Sequence, residues 1–283
     1  MPTNPDTPLF GNDTPMATVT ITGPNTTATS KLEDLREGGF VRSVVPVVQT
    51  AGILTPRGRY YAQIQIFRQK GLMCETVWTG YITTGQTPTS ILNRKTRPRD
   101  SIQMQVWAGT KGVAATFAVM VCYGYNDVSG AFLFTEFPGG PIGTGDIYSI
   151  DFSGPAAGAD FPAQTVGAFA RVVLRAFRGA LTTAVAAANR QVKVRYKDTT
   201  GTVVYDSNTA KAQVASLTYN YEAALDSPIL DESALPTLDI AMFLPILWLP
   251  TGWVYSIATV ALQAADQWGS GVMQVEEWVY PQP

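Results

Sequence analysis

Residues 59–68 read Arg-Tyr-Tyr-Ala-Gln-Ile-Gln-Ile-Phe-Arg, and this stretch decides the fold class. One set of alternate residues contains Ala62, Ile64 and Ile66, whereas the other contains Gln63 and Gln65. Successive side chains of a β-strand point to opposite faces of the sheet. The alternation therefore predicts a β-strand with one apolar face.

Similar strands are predicted along most of the chain. They cover residues 40–49, 59–68, 74–83, 102–108, 115–125, 169–181, 191–196, 202–205, 212–221, 241–249, 253–263 and 272–280. The stretch 169–181 also fits the period of a helix, but its β-branched content favours a strand. Short strands separated by turn residues are typical of sandwiches and barrels. The sequence predicts an all-β fold of two tandem antiparallel β-sandwich domains that resemble jelly rolls.

The clearest domain boundary is the segment 138–145, Pro-Gly-Gly-Pro-Ile-Gly-Thr-Gly. At 283 residues the chain is long enough for two compact units. We predict a first sandwich at residues 40–137, a linker at 138–145 and a second sandwich at 146–283.

Residues 1–39 differ from the rest in composition. Residues 1–29 are rich in Thr, Pro, Asn and Asp, which is typical of an extended tail, and they contain one alternating run at 17–22 that predicts an edge strand. Ser30 and Glu33 have the spacing of a capping box, and two glycines follow at 38–39, so one short helix is predicted. We interpret residues 1–39 as an N-terminal arm with a short helix, and the arm as lying on a neighbouring subunit.

The composition excludes several functions. Only 15% of the residues are charged and the net charge is -2, which argues against nucleic acid as the partner because phosphates require a basic excess. The chain has no histidine, the commonest general base and metal ligand. We therefore expect no enzyme, with no catalytic residues, no cofactor and no metal site. The start shows no signal-peptide pattern, and prolines interrupt the apolar stretch 241–255, so we expect a protein made in the cytoplasm without a membrane partner.

The two cysteines are too few for a disulfide scaffold or a zinc site. Cys74 and Cys122 both lie in predicted strands. We expect two buried reduced thiols, and the alternative is a disulfide between paired strands.

Two charged motifs are candidates for chemistry. The basic run 94–99 suits either an anion contact or a solvated loop that faces acidic neighbours such as Asp100, and the absence of interleaved aromatic residues favours the loop. The adjacent carboxylates are Glu276–Glu277 and Asp231–Glu232. Neighbouring residues of one strand face opposite ways, so Glu276 and Glu277 cannot form a glycosidase pair by themselves.

Two apolar features also have alternative interpretations. The segment 244–250, Leu-Pro-Ile-Leu-Trp-Leu-Pro, is either buried within the sandwich or partly buried against another subunit. The tryptophans suit either an ordinary core or an exposed pair that binds a glycan. The candidates for such a pair are Trp78, Trp107, Trp253 and Trp268.

Seven short stretches together resemble a loosely defined group of tailed-bacteriophage virion structural proteins, of the head decoration or minor capsid type. They include Leu-Pro-Thr-Gly-Trp at 249–253 and Val-Glu-Glu-Trp at 275–278; the others are residues 56–66, 79–86, 188–192, 217–221 and 263–268. The resemblance covers most of residues 40–283. It implies a structural part of the particle, built from β-sandwich domains.

The sequence thus predicts a non-enzymatic virion structural protein, a capsid decoration or cement protein that binds the major capsid shell and stabilises it. The expected partners are other virion proteins, above all the major capsid protein, contacted through the N-terminal arm and the sandwich edges. A homo-oligomer is expected, a trimer by analogy, located in virions that assemble in the host cytoplasm. The alternatives are a head-tail joining, tail or fibre-base component and, from another class, a carbohydrate-binding jelly-roll module.

Overall fold

The chain folds into two compact units, Met1–Asp146 with Trp278–Pro283, and Ile147–Glu277. The structure is a computed structural model that describes residues 15–37, 40–68, 73–84, 87, 89–123, 134–136, 138–209, 212–225 and 239–281. These residues form strands and no helix, so none of them belongs to a helix long and apolar enough to cross a membrane. The predicted all-β fold is confirmed.

The described strands of the first unit form two sheets. The strands are β1 (Pro15–Ile21), β2 (Thr27–Thr29), β3 (Glu33–Asp34), β4 (Phe40–Val48), β5 (Tyr60–Arg68), β6 (Met73–Tyr81), β7 (Ser90–Lys95), β8 (Ser101–Ala108), β9 (Ala115–Tyr123) and β10 (Phe134–Thr135). One sheet has the order β1-β9-β4-β7, and the other has the order β10-β6-β5-β8-β2, with β3 also pairing β8. All described pairs are antiparallel except β10 with β6.

Both sheets contribute to one core, which makes the first unit a sandwich. Val41 and Phe117 of one sheet are buried in the same cluster as Ile64, Trp78 and Met104 of the other. The alternation at residues 59–68 is confirmed, because its apolar set is buried between the sheets. That set consists of Tyr60, Ala62, Ile64 and Ile66.

The second unit has the same construction. Its strands are β11 (Asp146–Phe152), β12 (Gln164–Thr165), β13 (Ala170–Thr182), β14 (Gln191–Lys197), β15 (Val203–Asn208), β16 (Thr218–Leu225), β17 (Asp239–Leu244), β18 (Val254–Val260) and β19 (Gln267–Val279). The sheets have the orders β11-β19-β13-β16-β17 and β12-β18-β14-β15, and β16 and β17 are parallel. The ambiguous stretch 169–181 is the strand β13, as predicted.

An aromatic group fills the core of the second unit. The rings of Phe161 and Trp268 lie 5.0 Å apart, and Phe177 and Tyr221 pack against Trp268 at 6.2 and 5.6 Å. Gly271 of β19 makes room for Phe161, because a Cβ at Gly271 would lie 2.7 Å from the Phe161 Cζ atom.

We expect Gly271→Ala to lower the free energy of unfolding by about 1–3 kcal/mol, the usual effect of overpacking a core. Gly269→Ala is the matched control on the same strand, since its Cβ would meet nothing nearer than the Ala180 carbonyl oxygen at 3.7 Å. Its effect should stay within about 0.5 kcal/mol. Urea unfolding of both variants checks this, and equal losses would contradict the steric explanation.

The predicted helix after residue 30 is wrong. The described residues there form β2 and β3, which both pair with β8. The Ser30 hydroxyl accepts a hydrogen bond from the Met104 amide at 3.0 Å, and the Ser30 amide donates to the Met104 carbonyl at 2.8 Å. Ser30 therefore satisfies β8 instead of capping a helix.

The N-terminal arm is shorter than predicted. The run at 17–22 is an edge strand as expected, but it is the edge of this unit's own sheet, where β1 pairs β9. Ala17, Val19 and Ile21 are buried in the core. Polar residues alternate with these three, and that composition concealed a core strand. Only residues 1–14 remain candidates for an arm, and they lie outside the described residues.

Three further expectations need correction. Residues 278–283 belong to the first unit, although the second sandwich was predicted to include them. The strand predicted at 241–249 ends at Leu244, because Pro245 has no amide proton for a sheet. Cys74 is exposed at the start of β6 and Cys122 is half-buried, and both are free. The expectation of two buried thiols is therefore wrong for Cys74. The alternative of a disulfide between paired strands is also wrong, because both cysteines are free and β6 and β9 do not pair.

Candidate functional site: an apolar surface held by a buried ion pair

The adjacent carboxylates of β19 have structural partners. Glu276 and Glu277 are both buried. Glu276 forms an ion pair with Arg175, and Glu277 accepts a hydrogen bond from the Tyr148 hydroxyl at 2.9 Å. Burial, with contributions from Tyr205 and Tyr255, raises the pKa of Tyr196, and burial with the nearby Glu277 raises that of Tyr255. Asp231–Glu232 lies outside the described residues.

The four candidate tryptophans do not share one surface. Trp78 and Trp268 are buried in the cores of the first and second units. Trp107 and Trp253 are half-buried and belong to different units. Two of the four candidates are thereby removed from any glycan-binding surface.

The apolar segment 244–250 is divided between core and surface. Leu244 and Leu249 are buried, whereas Ile246 is half exposed. Trp248 lies under the Arg171 guanidinium, 4.5 Å from ring centroid to Cζ. Burial within the sandwich is confirmed for Leu244 and Leu249, and burial of the exposed part against another subunit stays a prediction.

Two open depressions lie on the described surface, and neither assembles a catalytic group. One, of about 370 Å³, is lined by aliphatic and threonine side chains around β4. The other, of about 360 Å³, has Asp151 and Arg178 as its titratable groups. The described residues hold no group of three Cys, Asp or Glu side chains suited to a metal ion. No enzyme function is supported by this arrangement.

The most exposed apolar side chain in the described chain belongs to a loop of the second unit. Residues 184–188 read Ala-Val-Ala-Ala-Ala and connect β13 to β14. Val185 is 85% exposed and the neighbouring Val214 is 49% exposed. Residues 184–188 and Val214 are here called the apolar loop surface.

A fully buried ion pair lies beneath this surface. Arg190 and Asp266 are both 0% exposed. The Arg190 Nε atom donates to Asp266 Oδ2 and the Nη2 atom to Oδ1, each at 2.8 Å. This two-point geometry is the strong form of an arginine–carboxylate contact.

The same two side chains hold the loop backbone. Arg190 Nη1 donates to the carbonyl oxygens of Ala186 and Ala188 at 2.8 Å, and Asp266 Oδ1 accepts from the Ala184 amide at 2.8 Å. Asp266 Oδ2 also accepts from the Gln263 amide at 2.7 Å. The loop is thus fixed at three of its five residues although its side chains face solvent.

The second part of the surface is held beside the first. The Thr183 hydroxyl donates to the Val214 carbonyl at 2.7 Å, and the Ser216 amide donates to the Ala184 carbonyl at 3.1 Å. Arg190 and Gln213 exchange backbone hydrogen bonds of 2.9 and 2.8 Å. Both loops are therefore part of the folded sandwich.

The electrostatics favour the charged pair. Burial alone would raise the pKa of Asp266, but the hydrogen bonds from Arg190, Ala184 and Gln263 outweigh it and lower that pKa below its usual value. A lowered folded-state pKa stabilises the fold at pH values above the unfolded pKa, and this stabilisation is lost as the pH falls through the folded pKa. The pair is therefore intact at neutral pH.

The chemistry of the surface limits what it can bind. Residues 179–189 and 212–221 contain no charged side chain. The surface has no basic group for phosphate and no interfacial Trp, Tyr, Lys or Arg anchor for a bilayer. A rigid aliphatic surface suits the apolar core of a protein contact. The sequence signal was these two uncharged stretches, which the strand pattern of their flanks obscured.

Comparisons with known proteins do not name a family. No family model and no curated protein matches the chain. Among solved structures, an f-lectin (fucolectin) from Morone saxatilis (striped bass) serum is 11% identical, with 95% of this chain and 89% of that chain covered and a TM-score of 0.26. PBSX exported protein XepA is 12% identical, with 96% and 89% covered and a TM-score of 0.28. A chain of the T13 IBDV viral particle is 13% identical, with 94% of this chain and 67% of that chain covered and a TM-score of 0.26.

Similarities this weak carry no argument about what the chain does. By its own sheets, the chain is an all-β protein of two sandwiches, and the apolar loop surface is its candidate functional site.

Proposed function

We propose that this chain is a virion structural protein, a decoration or cement protein of the capsid that acts by binding neighbouring protein subunits. The observation that carries the proposal is the apolar loop surface with its buried support. Exposing an aliphatic loop to water is unfavourable, and burying an ion pair beneath it requires desolvation of both charges. A protein contact accounts for both features, because a preorganised loop loses little entropy when it binds.

Low surface charge supports the same function. The chain carries 15% charged residues and a net charge of -2, so its surface is poorly suited to remaining free in solution. In an assembly, many copies of a weak contact add up to a strong attachment. The alternative of a head-tail joining, tail or fibre-base component would use the same surface with another partner.

We propose the role of an arm for residues 1–14 alone. Deleting residues 1–29 would also remove β1, whose side chains at Ala17, Val19 and Ile21 belong to the core. A deletion that tests the arm must therefore stop before Pro15.

We expect Val185→Glu to weaken self-association of the full chain by about tenfold or more, since it places a charge in the centre of an apolar contact. Sedimentation velocity over a concentration series measures the effect. Val260→Glu is the matched control, because Val260 is 43% exposed at the end of β18 and lies outside the apolar loop surface. An unchanged oligomer in Val185→Glu, or a wild-type monomer at every concentration, would contradict self-assembly through this surface.

The proposed location in virions has a separate test. Quantitative mass spectrometry of particles purified from a host that encodes this chain should find it in many copies per particle. Its absence from the particles would overturn the virion assignment while leaving the contact surface to be tested in solution.

A further inference from the structure

We propose that the first unit carries a basic docking surface for an acidic protein partner, formed by Arg36, Arg42, Lys95, Arg97 and Arg99. This goes beyond the proposed function, because it concerns a second surface and a partner of defined charge. The inference does not depend on the virion assignment.

The arrangement brings three separate parts of the chain together. The Thr96 hydroxyl donates to the Arg36 carbonyl at 2.6 Å, and the Leu35 amide donates to the Asp100 carbonyl at 2.8 Å. Phe40 of β4 pairs with Lys95 of β7. The loop 95–100, residues 35–36 and the start of β4 are therefore neighbours, and the sequence alone shows only the first of these as basic.

A buried carboxylate shapes the loop. Asp100 is buried, and its Oδ2 atom accepts a hydrogen bond from the Arg97 amide at 2.9 Å. The Asp100 amide donates in turn to the Arg97 carbonyl at 3.1 Å, and Arg99 adopts φ +68°. Asp100 is therefore used by the backbone, and the Lys95, Arg97 and Arg99 side chains are exposed.

The side chains of this surface form no ion pairs within the described chain, although Asp34 and Glu37 are exposed on the same segment as Arg36. Nine Lys or Arg side chains form ion pairs with carboxylates elsewhere. Even Arg94, the first residue of the basic run, pairs with Glu75 at 2.7 Å. The five residues of the basic docking surface form no ion pair with a described carboxylate. The expected solvated loop with acidic neighbours is confirmed in part: Lys95, Arg97 and Arg99 are exposed, Arg94 pairs with Glu75, and Asp100 accepts a hydrogen bond from the Arg97 amide.

The charge distribution favours a protein over nucleic acid. The first unit has twelve Lys/Arg and ten Asp/Glu, a formal charge of +2, whereas the second has eight and twelve, a formal charge of -4. Nucleic acid requires a clear basic excess, and the chain as a whole has a net charge of -2. A compact acidic protein surface contacts only the patch, because charges beyond about 10 Å are screened at 0.1 M salt. Arginine also binds carboxylates in a two-point geometry.

The test uses the full chain, a fluorescein-labelled poly-L-glutamate of eight residues, short enough to contact mainly the patch, and a labelled 20-base-pair DNA duplex. We expect fluorescence anisotropy to show poly-glutamate binding in 50 mM NaCl that weakens several-fold at 200 mM. The triple variant Lys95→Glu, Arg97→Glu, Arg99→Glu should weaken it at least tenfold. Lys31→Glu, Lys111→Glu, Lys197→Glu changes the net charge equally and should weaken binding less than threefold.

Each result decides the proposal. Equal losses in the two triple variants would mean that net charge alone attracts the probe, and the surface would be rejected. Tighter binding of the DNA duplex than of poly-glutamate would overturn the choice of an acidic protein. Thermal unfolding of both triple variants must match that of the wild type. If the first triple variant unfolds, the single variant Lys95→Glu replaces it, because the Lys95 side chain makes no hydrogen bond within the loop. The expected loss of poly-glutamate affinity for this single variant is threefold.

Discussion

Replacing Arg190 with methionine is expected to lower the free energy of unfolding by about 3–5 kcal/mol, because Asp266 would remain buried without its partner. The variant also removes two hydrogen bonds to the loop carbonyls of Ala186 and Ala188. Urea unfolding followed by far-ultraviolet circular dichroism measures the loss.

An exposed ion pair of the same unit provides the control. Arg178 pairs with Glu222 at 3.1 Å, and their side chains are 70% and 57% exposed. Arg178→Met should cost only about 0–1 kcal/mol, since solvent screens the pair. Equal losses in Arg178→Met and Arg190→Met would contradict the assignment of the stability to burial.

The double variant Arg190→Met, Asp266→Leu separates the ion pair from the loop contacts. It removes both charges, so its loss should be smaller than the sum of the two single losses by about 0.5–3 kcal/mol. A remainder is expected because the Ala184 and Gln263 amides lose their acceptor. Strict additivity would show that Arg190 and Asp266 act independently, against the two-point geometry.

The single variant Arg190→Met also links stability to function. Because the carbonyls of Ala186 and Ala188 lose their donor, the loop 184–188 should become mobile and lose more conformational entropy when it binds. Arg190→Met should therefore weaken self-association even under conditions where the fold is intact. A stable Arg190→Met variant that associates like the wild type would remove the rigid loop as the reason for the buried pair.

The strand pattern was predictable because it depends on local alternation. Residues 59–68 form β5 and residues 169–181 form β13, since burial of every second side chain leaves a period of two in the sequence. Polar composition concealed that the strand predicted at 17–22, β1, belongs to its own unit's core, because its core residues are separated by threonines. Ser30 has the spacing of a helix cap, but pairing with β8 gave its backbone a tertiary partner that no local pattern reveals.

The candidate surface was less predictable than the fold. Arg190 and Asp266 are 76 residues apart in sequence, and both are of residue types that usually lie on the surface. Only the pairing of β14 with β18 in one sheet, and of β13 with β19 in the other, brings them together. In the same way, Arg36 joins the basic run through a hydrogen bond from Thr96 to its carbonyl, a contact that depends on sheet register. Local composition determines strands, whereas sites depend on long-range pairing.

Trp268→Ala is expected to lower the free energy of unfolding by about 3–5 kcal/mol, as large-to-small changes in a packed core do. Trp268 is 1% exposed and its ring contacts Phe161, Phe177 and Tyr221. The indole Nε1 atom also donates to Asp160 Oδ1 at 3.2 Å and to Thr259 Oγ1 at 3.3 Å. Circular dichroism is the suitable probe, because the variant lacks a fluorophore of the native protein.

Two comparisons make the result specific. Trp268→Phe keeps an aromatic ring in the cluster but loses the two hydrogen bonds, so its loss should be about 1–2 kcal/mol. Phe243→Ala, at a side chain that is 51% exposed, should stay within about 0.5 kcal/mol. A stable Trp268→Ala variant would mean that the indole is not part of the core, and would return Trp268 to the candidates for a glycan-binding face. The expected large loss would instead place its role in holding together the sandwich that supports the apolar loop surface.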